Sequence, residues 1–165
     1  MTAQAEWLAW SRAAENNRAP IAARLVPLLA GARHVLEVGA GSGQHAAAFS
    51  AALPGTVCLA TETPAVVDVL RTNLERHAPS LPAPAALDVA DEPWPLSVPE
   101  GGFDAVYTAN TLHIMGWDEG QAFLRGAARV LAPGGLLLVY GPMRYAGAFT
   151  TPSNAEFDGW LRARD

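Results

Sequence analysis

The stretch from His34 to His45, His-Val-Leu-Glu-Val-Gly-Ala-Gly-Ser-Gly-Gln-His, constrains this chain more than any other. A short apolar run, Val35 to Val38, gives way to glycines at alternate positions, Gly39, Gly41 and Gly43. A helix-compatible segment, Gln44 to Leu53, follows at once. A strand that turns through glycine into a helix brings bare backbone close to a ligand and aims helix N–H groups at it.

Strand and helix patterns then alternate along the chain. Val57 to Ala60 reads as a second strand ending at Thr61-Glu62, and Thr63-Pro64 opens a helix with Val66, Val67, Leu70 and Leu74 at helical spacing. Pro79 to Pro99 carries six prolines, and within it Ala85 to Val89 reads as a short buried strand between stiff loops. Phe103 to Ala109 is a fourth strand, Asp118 to Leu131 a helix, and Leu136 to Tyr140 a fifth strand entered through Pro133-Gly134-Gly135. This alternation predicts an α/β, Rossmann-like doubly wound fold, with a mainly parallel sheet and helices on both faces. The strands are apolar without alternation, as burial on both sides requires.

Two further helical regions flank this core. Residues 3–30 read as helical but interrupted at Asn16-Asn17-Arg18, with Asn17 capping a second helix and Pro20 in its first turn. Those three residues are either a solvated turn or polar groups overhanging the ligand loop. At the other end, Ser153-Asn154-Ala155-Glu156 reads as a capping box opening a helix with Phe157, Trp160 and Leu161 on one face. The expectation is one domain over residues 1–165, an N-terminal helical segment of 1–30 and a core of 31–165.

Composition narrows the partners. Eleven Lys and Arg against 16 Asp and Glu leave a net charge of −5, which argues against a general nucleic-acid or anionic-membrane binder. No run approaches the ~20 apolar residues of a membrane span, and the N-terminal residues lack the pattern of a secretory signal, so the expected setting is cytoplasmic. The single cysteine, Cys58, reads as a small buried hydrophobe. The four histidines, His34, His45, His77 and His113, have no metal-ligand spacing, and no metal is expected.

The glycine loop is tested first against dinucleotides. Their fingerprint wants Gly-x-Gly-x-x-Gly, and here Gln44 stands at the last position. Glu37, two residues ahead of the first glycine, would face a pyrophosphate poorly and suits a ligand with a cation or sugar hydroxyls. S-adenosyl-L-methionine has a sulfonium, an ammonium and a ribose. Glu62, about twenty residues past the loop, is placed to accept both ribose hydroxyls. Asp88 ends the third strand and can accept from the adenine amino group, with Asp91 an alternative. Each acid alone can also be a solvated strand-end residue; their joint placement with the loop favours the ligand reading.

Glu37 to Gly43 resembles the first motif of class I S-adenosylmethionine-dependent methyltransferases. Gly41 to His45, Ala109 to Ile114, Tyr140-Gly141-Pro142 and Ser153 to Asp158 are similar to a narrower, uncharacterised family of a domain of unknown function that includes the methyltransferase-like 26 protein. The likeness runs from about Ala13 to the last residue. That family usually has Arg-Asn where this chain has Asn16-Asn17, so a positive charge near the cofactor or substrate is expected to be missing. Its members also continue past the position of Arg164-Asp165, supplying a further helix and two more strands. The chain is then a fragment or a shortened member, and dimerisation through an exposed C-terminal sheet edge is one expected consequence.

The resemblance implies S-adenosyl-L-methionine as cofactor and methyl transfer as the reaction, with a small molecule as acceptor. The candidate cofactor-binding residues are Glu37, Gly39, Gly41, Gly43, Gln44, His45, Glu62, Asp88 and Asn110. The candidate catalytic residues are His113 and Asn110, in the loop after the fourth strand where this superfamily commonly places substrate-facing groups. Asn110 can position cofactor or substrate through its amide, and His113 is either a base or a structural histidine bonding a loop carbonyl. Trp117 is a candidate wall, His45 a shaper of the loop, and Tyr140 either a pocket lid or a core tyrosine. A cofactor-binding protein without turnover is the second reading, and an NAD-linked oxidoreductase a distant third.

Overall fold

The structure, a computed structural model, describes residues 7–163. Its centre is a five-stranded sheet of β1 (His34–Val38), β2 (Val57–Glu62), β3 (Ala85–Ala86), β4 (Phe103–Ala109) and β5 (Leu131–Tyr140). The spatial order is β3-β2-β1-β4-β5, and every pairing is parallel. The chain starts in the middle and winds outward first to one side and then to the other. The crevice above β1 and β4, where the winding reverses, is where open sheets of this kind bind ligands.

Helices cover both faces. Side chains alternate along β1, so Val35 joins a core with Ile21 and Leu25 of α1 (Arg12–Leu28) and Phe49 of α2 (Gln44–Ala52). Leu36 and Val38 point the other way, onto Phe123, Ala127 and Val130 of α4 (Trp117–Val130). On the first face α3 (Val67–His77) sets Leu70 and Leu74 against Ala46 and Ala60. Among the described residues no helix is long and apolar enough to cross a membrane.

Six elements differ from the expectation. The first 30 residues do not form two helices broken at Asn16-Asn17. Trp7 to Trp10 are not helical, and α1 runs unbroken from a cap at Ser11, whose hydroxyl accepts from the Ala14 N–H at 3.2 Å. Pro20 lies inside it and leaves the Asn16 carbonyl without its helical donor. Burial of Ile21 and Leu25 outweighs that loss. The third strand is only two residues long, because Asp88 turns on itself: its Oδ1 accepts from Ala90 N–H at 2.9 Å, and its carbonyl from Asp91 N–H at 3.1 Å.

Strand β5 begins earlier than expected. It pairs Phe103 with Leu131 and then Ala105 with Leu136, so Ala132 to Gly135 form an irregularity within the strand. The last helix, α5 (Pro152–Arg162), is capped by Thr151 rather than Ser153: the Thr151 hydroxyl accepts from Asn154 N–H at 3.2 Å, and Pro152 fills the first turn. A hairpin of β6 (Arg144–Tyr145) and β7 (Ala148–Phe149) precedes it, which the sequence patterns did not suggest. Strand β5 is the outer strand of the main sheet among the described residues, and Leu136, Leu137 and Tyr140 on it are exposed.

Candidate functional site

Where β1 ends, its neighbours hold it open. Thr61 on β2 donates its hydroxyl to the Glu37 carbonyl at 2.9 Å, and Thr108 on β4 donates to the Val38 carbonyl at 2.8 Å. Both threonines are fully buried, so these bonds fix the point at which the glycine loop departs. Gly39 then turns at φ +72°, with its α-carbon so near Thr111 that a Cβ would lie 2.7 Å from the threonine methyl. Gly41 turns at φ +57° with nothing within 4 Å of such a Cβ, which leaves bare backbone facing open space.

That space is a cavity of about 420 Å³, within the range of small-molecule sites. Gly39, Gly41, His45, Glu62, Asp88 and Asn110 all line it, so six of the sequence-predicted site residues converge. Glu62, at the end of β2, receives the Gly41 N–H on Oε2 at 2.7 Å and the Thr63 N–H on Oε1 at 2.8 Å. A carboxylate has about four lone-pair positions, so each oxygen keeps one for a ligand hydroxyl. Asp88 sits on the turn that ends β3, with Leu87 and Val89 as apolar walls beside it.

His45 is 6% exposed and stacks on Phe49 at 5.5 Å. Its Nδ1 lies 3.5 Å from the Tyr107 hydroxyl, and its Nε2 has no hydrogen-bond partner among the described residues. Burial holds its pKa below the usual histidine range, the nearby Ala14 backbone opposes that shift, and Arg18 adds to it. His45 is thus a neutral, buried imidazole in the cavity lining, whose Nε2 lacks a hydrogen-bond partner among the described residues within the distance limits of the other bonds. Asn110 adopts φ +56°, a conformation rare outside glycine and tolerated best by asparagine and aspartate, and its N–H bonds the Tyr140 carbonyl at 2.8 Å.

Three expected ligand residues are placed elsewhere. Glu37 lies beneath the loop on the α1/α2 side, among Val35, Phe49, Cys58 and Tyr107, because strand alternation turns it away from the crevice. Burial, with the Glu62 charge adding to it, pushes its carboxyl up to about 8. Gly43 packs under Leu70 and Leu74 at the start of α2, outside the cavity lining. Gln44 is buried and serves as a bracket: its Oε1 accepts from Ser11 N–H at 2.7 Å and from the Ser42 hydroxyl at 2.9 Å, and its Nε2 donates to Glu15 at 3.2 Å. It fastens the start of α1 across the loop, which is how Ser11, Ala13 and Ala14 come to line the cavity.

Those three N-terminal residues, with Thr111, Ile114, Met115 and Glu119, were not legible as site residues. The tie that brings the N-terminal segment in depends on Asn73 as well, a fully buried side chain that exchanges two hydrogen bonds with Leu8, both at 2.9 Å, and donates to the Ser42 carbonyl. The signal in sequence was only a polar residue inside an apolar helix stripe. Arg18 pairs with Glu15 at 2.7 Å, one turn from Ala14, and lines neither this cavity nor its neighbour.

His113 is outside the cavity. It belongs to the short helical turn Leu112–Ile114 and lines an adjoining depression with Asn17, Asn110 and Tyr140. Phe157 of α5 meets its ring edge-to-face at 5.1 Å, and burial holds its pKa below the usual range. Asn110 borders both spaces. Trp117 is not a wall of either, being 82% exposed at the start of α4.

This winding order, with a glycine loop after β1 and acids after β2 and β3, is the methyltransferase form of the Rossmann-like fold. Solved structures of that fold align closely. The S-adenosylmethionine-dependent methyltransferase SibL matches with a TM-score of 0.71 at 25% identity, over 88% of this chain and 41% of its own. CalS10, an amino pentose methyltransferase from Micromonospora echinaspora solved with S-adenosylmethionine bound, matches at 0.61 and 27% identity, over 82% of this chain and 53% of its own. The mitomycin 7-O-methyltransferase MmcR matches at 0.69 and 21% identity, over 88% and 41%. The chain thus spans about half, or less, of the length of these structures. It belongs to the family described as Protein of unknown function (DUF938), which it matches over residues 9–165.

Proposed function

We propose that the chain binds S-adenosyl-L-methionine in the cavity above β1 and transfers its methyl group to a small-molecule acceptor. One observation carries this reading: Glu62, Asp88 and the bare loop at Gly41 converge on one cavity. Glu62 is already oriented by Gly41, and it has lone pairs free for a diol. The orphaned Nε2 of His45 adds a polar atom suited to the amino-acid end of the cofactor. The likeness to SibL and CalS10 agrees with this assignment.

The bound cofactor would supply an activated methyl group on a sulfonium. The chain supplies position and exclusion of water. Glu62 and Asp88 orient the nucleoside, Gly39 and Gly41 permit backbone approach, and Asn110, held in its uncommon conformation, stands between the cofactor cavity and the neighbouring depression. An acceptor there must lie in line at about 3 Å from the methyl carbon. His113, kept neutral by burial, is the group able to take the acceptor's proton.

The test is incorporation of labelled methyl from S-adenosylmethionine into a small-molecule panel, with Asn110→Ala and His113→Ala alongside. Incorporation that both substitutions reduce supports the assignment. Incorporation into nothing, with S-adenosylhomocysteine still bound, converts the reading to a cofactor-binding protein without turnover.

A further inference from the structure

Two spaces meet at Ala13 and Asn110, and they differ in charge. The cofactor cavity is lined by three acids, Glu62, Asp88 and Glu119. The adjoining depression, about 710 Å³, is bordered by the β6–β7 hairpin and α5, and no Lys, Arg, Asp or Glu is among the described residues that line it. Its polar groups are the amides of Asn17, Asn110 and Asn154, hydroxyls such as those of Tyr145 and Thr150, and the His113 imidazole.

The ions of the hairpin and of α5 that the structure pairs are held together. Arg144, on the hairpin, is 2.6 Å from Asp158 and stacks over the Phe149 ring at 4.1 Å. Asp158, on α5, also receives Arg162 at 2.8 Å. Arg144 and Arg162, on the hairpin and helix that border the space, are thus both paired with Asp158, which does not line it. An ionised acceptor group seated there would give up part of its hydration without finding a counter-ion among the lining residues, whereas a neutral one meets hydrogen-bonding amides and hydroxyls. Ring-shaped walls come from Tyr140, Tyr145 and Phe157.

We infer that this second space is the acceptor site and that it takes an uncharged small molecule whose aromatic ring carries a hydroxyl, with Asn17 and Asn154 as its specificity-determining contacts. The inference rests on the methyltransferase reading above. In the step it implies, the acceptor oxygen forms a bond to the methyl carbon as the sulfur–methyl bond breaks. That electron pair stays on the departing thioether sulfur, and the hydroxyl proton passes to a His113 ring nitrogen and then to water. A sulfonium and a neutral alcohol thus give a neutral thioether, an ether and one proton.

The test uses three catechols of similar shape: the methyl ester of 3,4-dihydroxybenzoic acid, the free acid as its anion, and dopamine as a cation. Each is titrated calorimetrically into the 165-residue chain saturated with S-adenosylhomocysteine. The ester is expected to bind about fivefold or more tighter than either ion, because only the ions must shed hydration unpaired. Asn17→Asp, a near-isosteric change, is expected to move preference toward dopamine while S-adenosylhomocysteine affinity stays within about twofold, the sign of an intact fold. Equal binding of all three, preference for an ion, or binding of none overturns the inference. Failure of S-adenosylhomocysteine itself to bind instead overturns the cofactor reading on which it rests.

Discussion

The backbone N–H of Gly41 donates to the Glu62 carboxylate at 2.7 Å, so the tip of the glycine loop is tied to the end of the neighbouring strand before any ligand arrives. One side chain therefore has two roles, shaping the loop and presenting free lone pairs to the cavity. Replacing Glu62 by Ala removes both. S-adenosylhomocysteine affinity is expected to fall roughly 10- to 100-fold, as charge-assisted hydrogen bonds of ~1.5–3 kcal/mol are lost. Glu62→Gln keeps an acceptor for Gly41 and should lose less. Calorimetric titration of the two variants checks the order; equal affinity of Glu62→Ala and the parent would remove Glu62 from the site.

Gly39 and Gly41 separate stability from binding. A Cβ on Gly39 would sit 2.7 Å from the Thr111 methyl and 2.8 Å from its hydroxyl, at φ +72°. Gly39→Ala is expected to destabilise the fold by ~1–3 kcal/mol, visible as a lower Tm. Gly41→Ala meets no atom within 4 Å, so only its φ of +57° is strained. It should cost about 1–2 kcal/mol of stability from backbone strain alone and in addition lower ligand affinity, because the methyl group stands where backbone faces the cavity. Thermal melts with and without S-adenosylhomocysteine distinguish the two.

Glu37 predicts a pH dependence of stability. Its carboxyl titrates at about 8 in the fold against 4.5 when exposed. Between those values the folded state holds a proton that the unfolded chain has released, so stability falls as pH rises from about 4.5 to about 8 and is then flat. Glu37→Gln removes this dependence. The variant should match the parent near pH 4.5 and exceed it by on the order of a few kcal/mol at pH 9. Urea unfolding at the two pH values measures the difference, and a parent that gains stability between them contradicts the assignment.

His113 predicts the pH profile of the reaction. It must be neutral to take a proton, and burial lowers its pKa. Methyl transfer is expected to stay level through neutrality and to decline only below the usual histidine range. His113→Ala should reduce kcat by roughly 10²-fold or more with little change in S-adenosylhomocysteine affinity. An unchanged kcat in that variant would return His113 to a purely structural role against Phe157.

The sheet, its winding and the loop were legible because they rest on local signals: apolar runs of strand length, glycines where backbone turns, and acids where strands stop. Glu37 stands outside the cavity lining, and strand alternation gives the reason. Val35 and Glu37 share a face of β1, and that face belongs to α1 and α2. Gln44 sits beside the loop in sequence, but it is held by Ser42 next to it and by Ser11 and Glu15, 33 and 29 residues away. Pairings at such separation leave no periodic trace. For the same reason Asn73, which grips Leu8 from 65 residues away, shows in sequence only as a polar residue in an apolar stripe, with nothing to name its partner. The uninterrupted α1 shows local breakers, Asn16-Asn17 and Pro20, overridden by burial of Ile21 and Leu25.

The most direct test of the central claim is calorimetric titration of the chain with S-adenosylhomocysteine and, separately, with NAD. The acids at Glu62 and Asp88, and the glycine loop that departs from the dinucleotide pattern at Gln44, predict saturable one-to-one binding of S-adenosylhomocysteine and none of NAD. Binding of NAD with no response to S-adenosylhomocysteine would contradict the account.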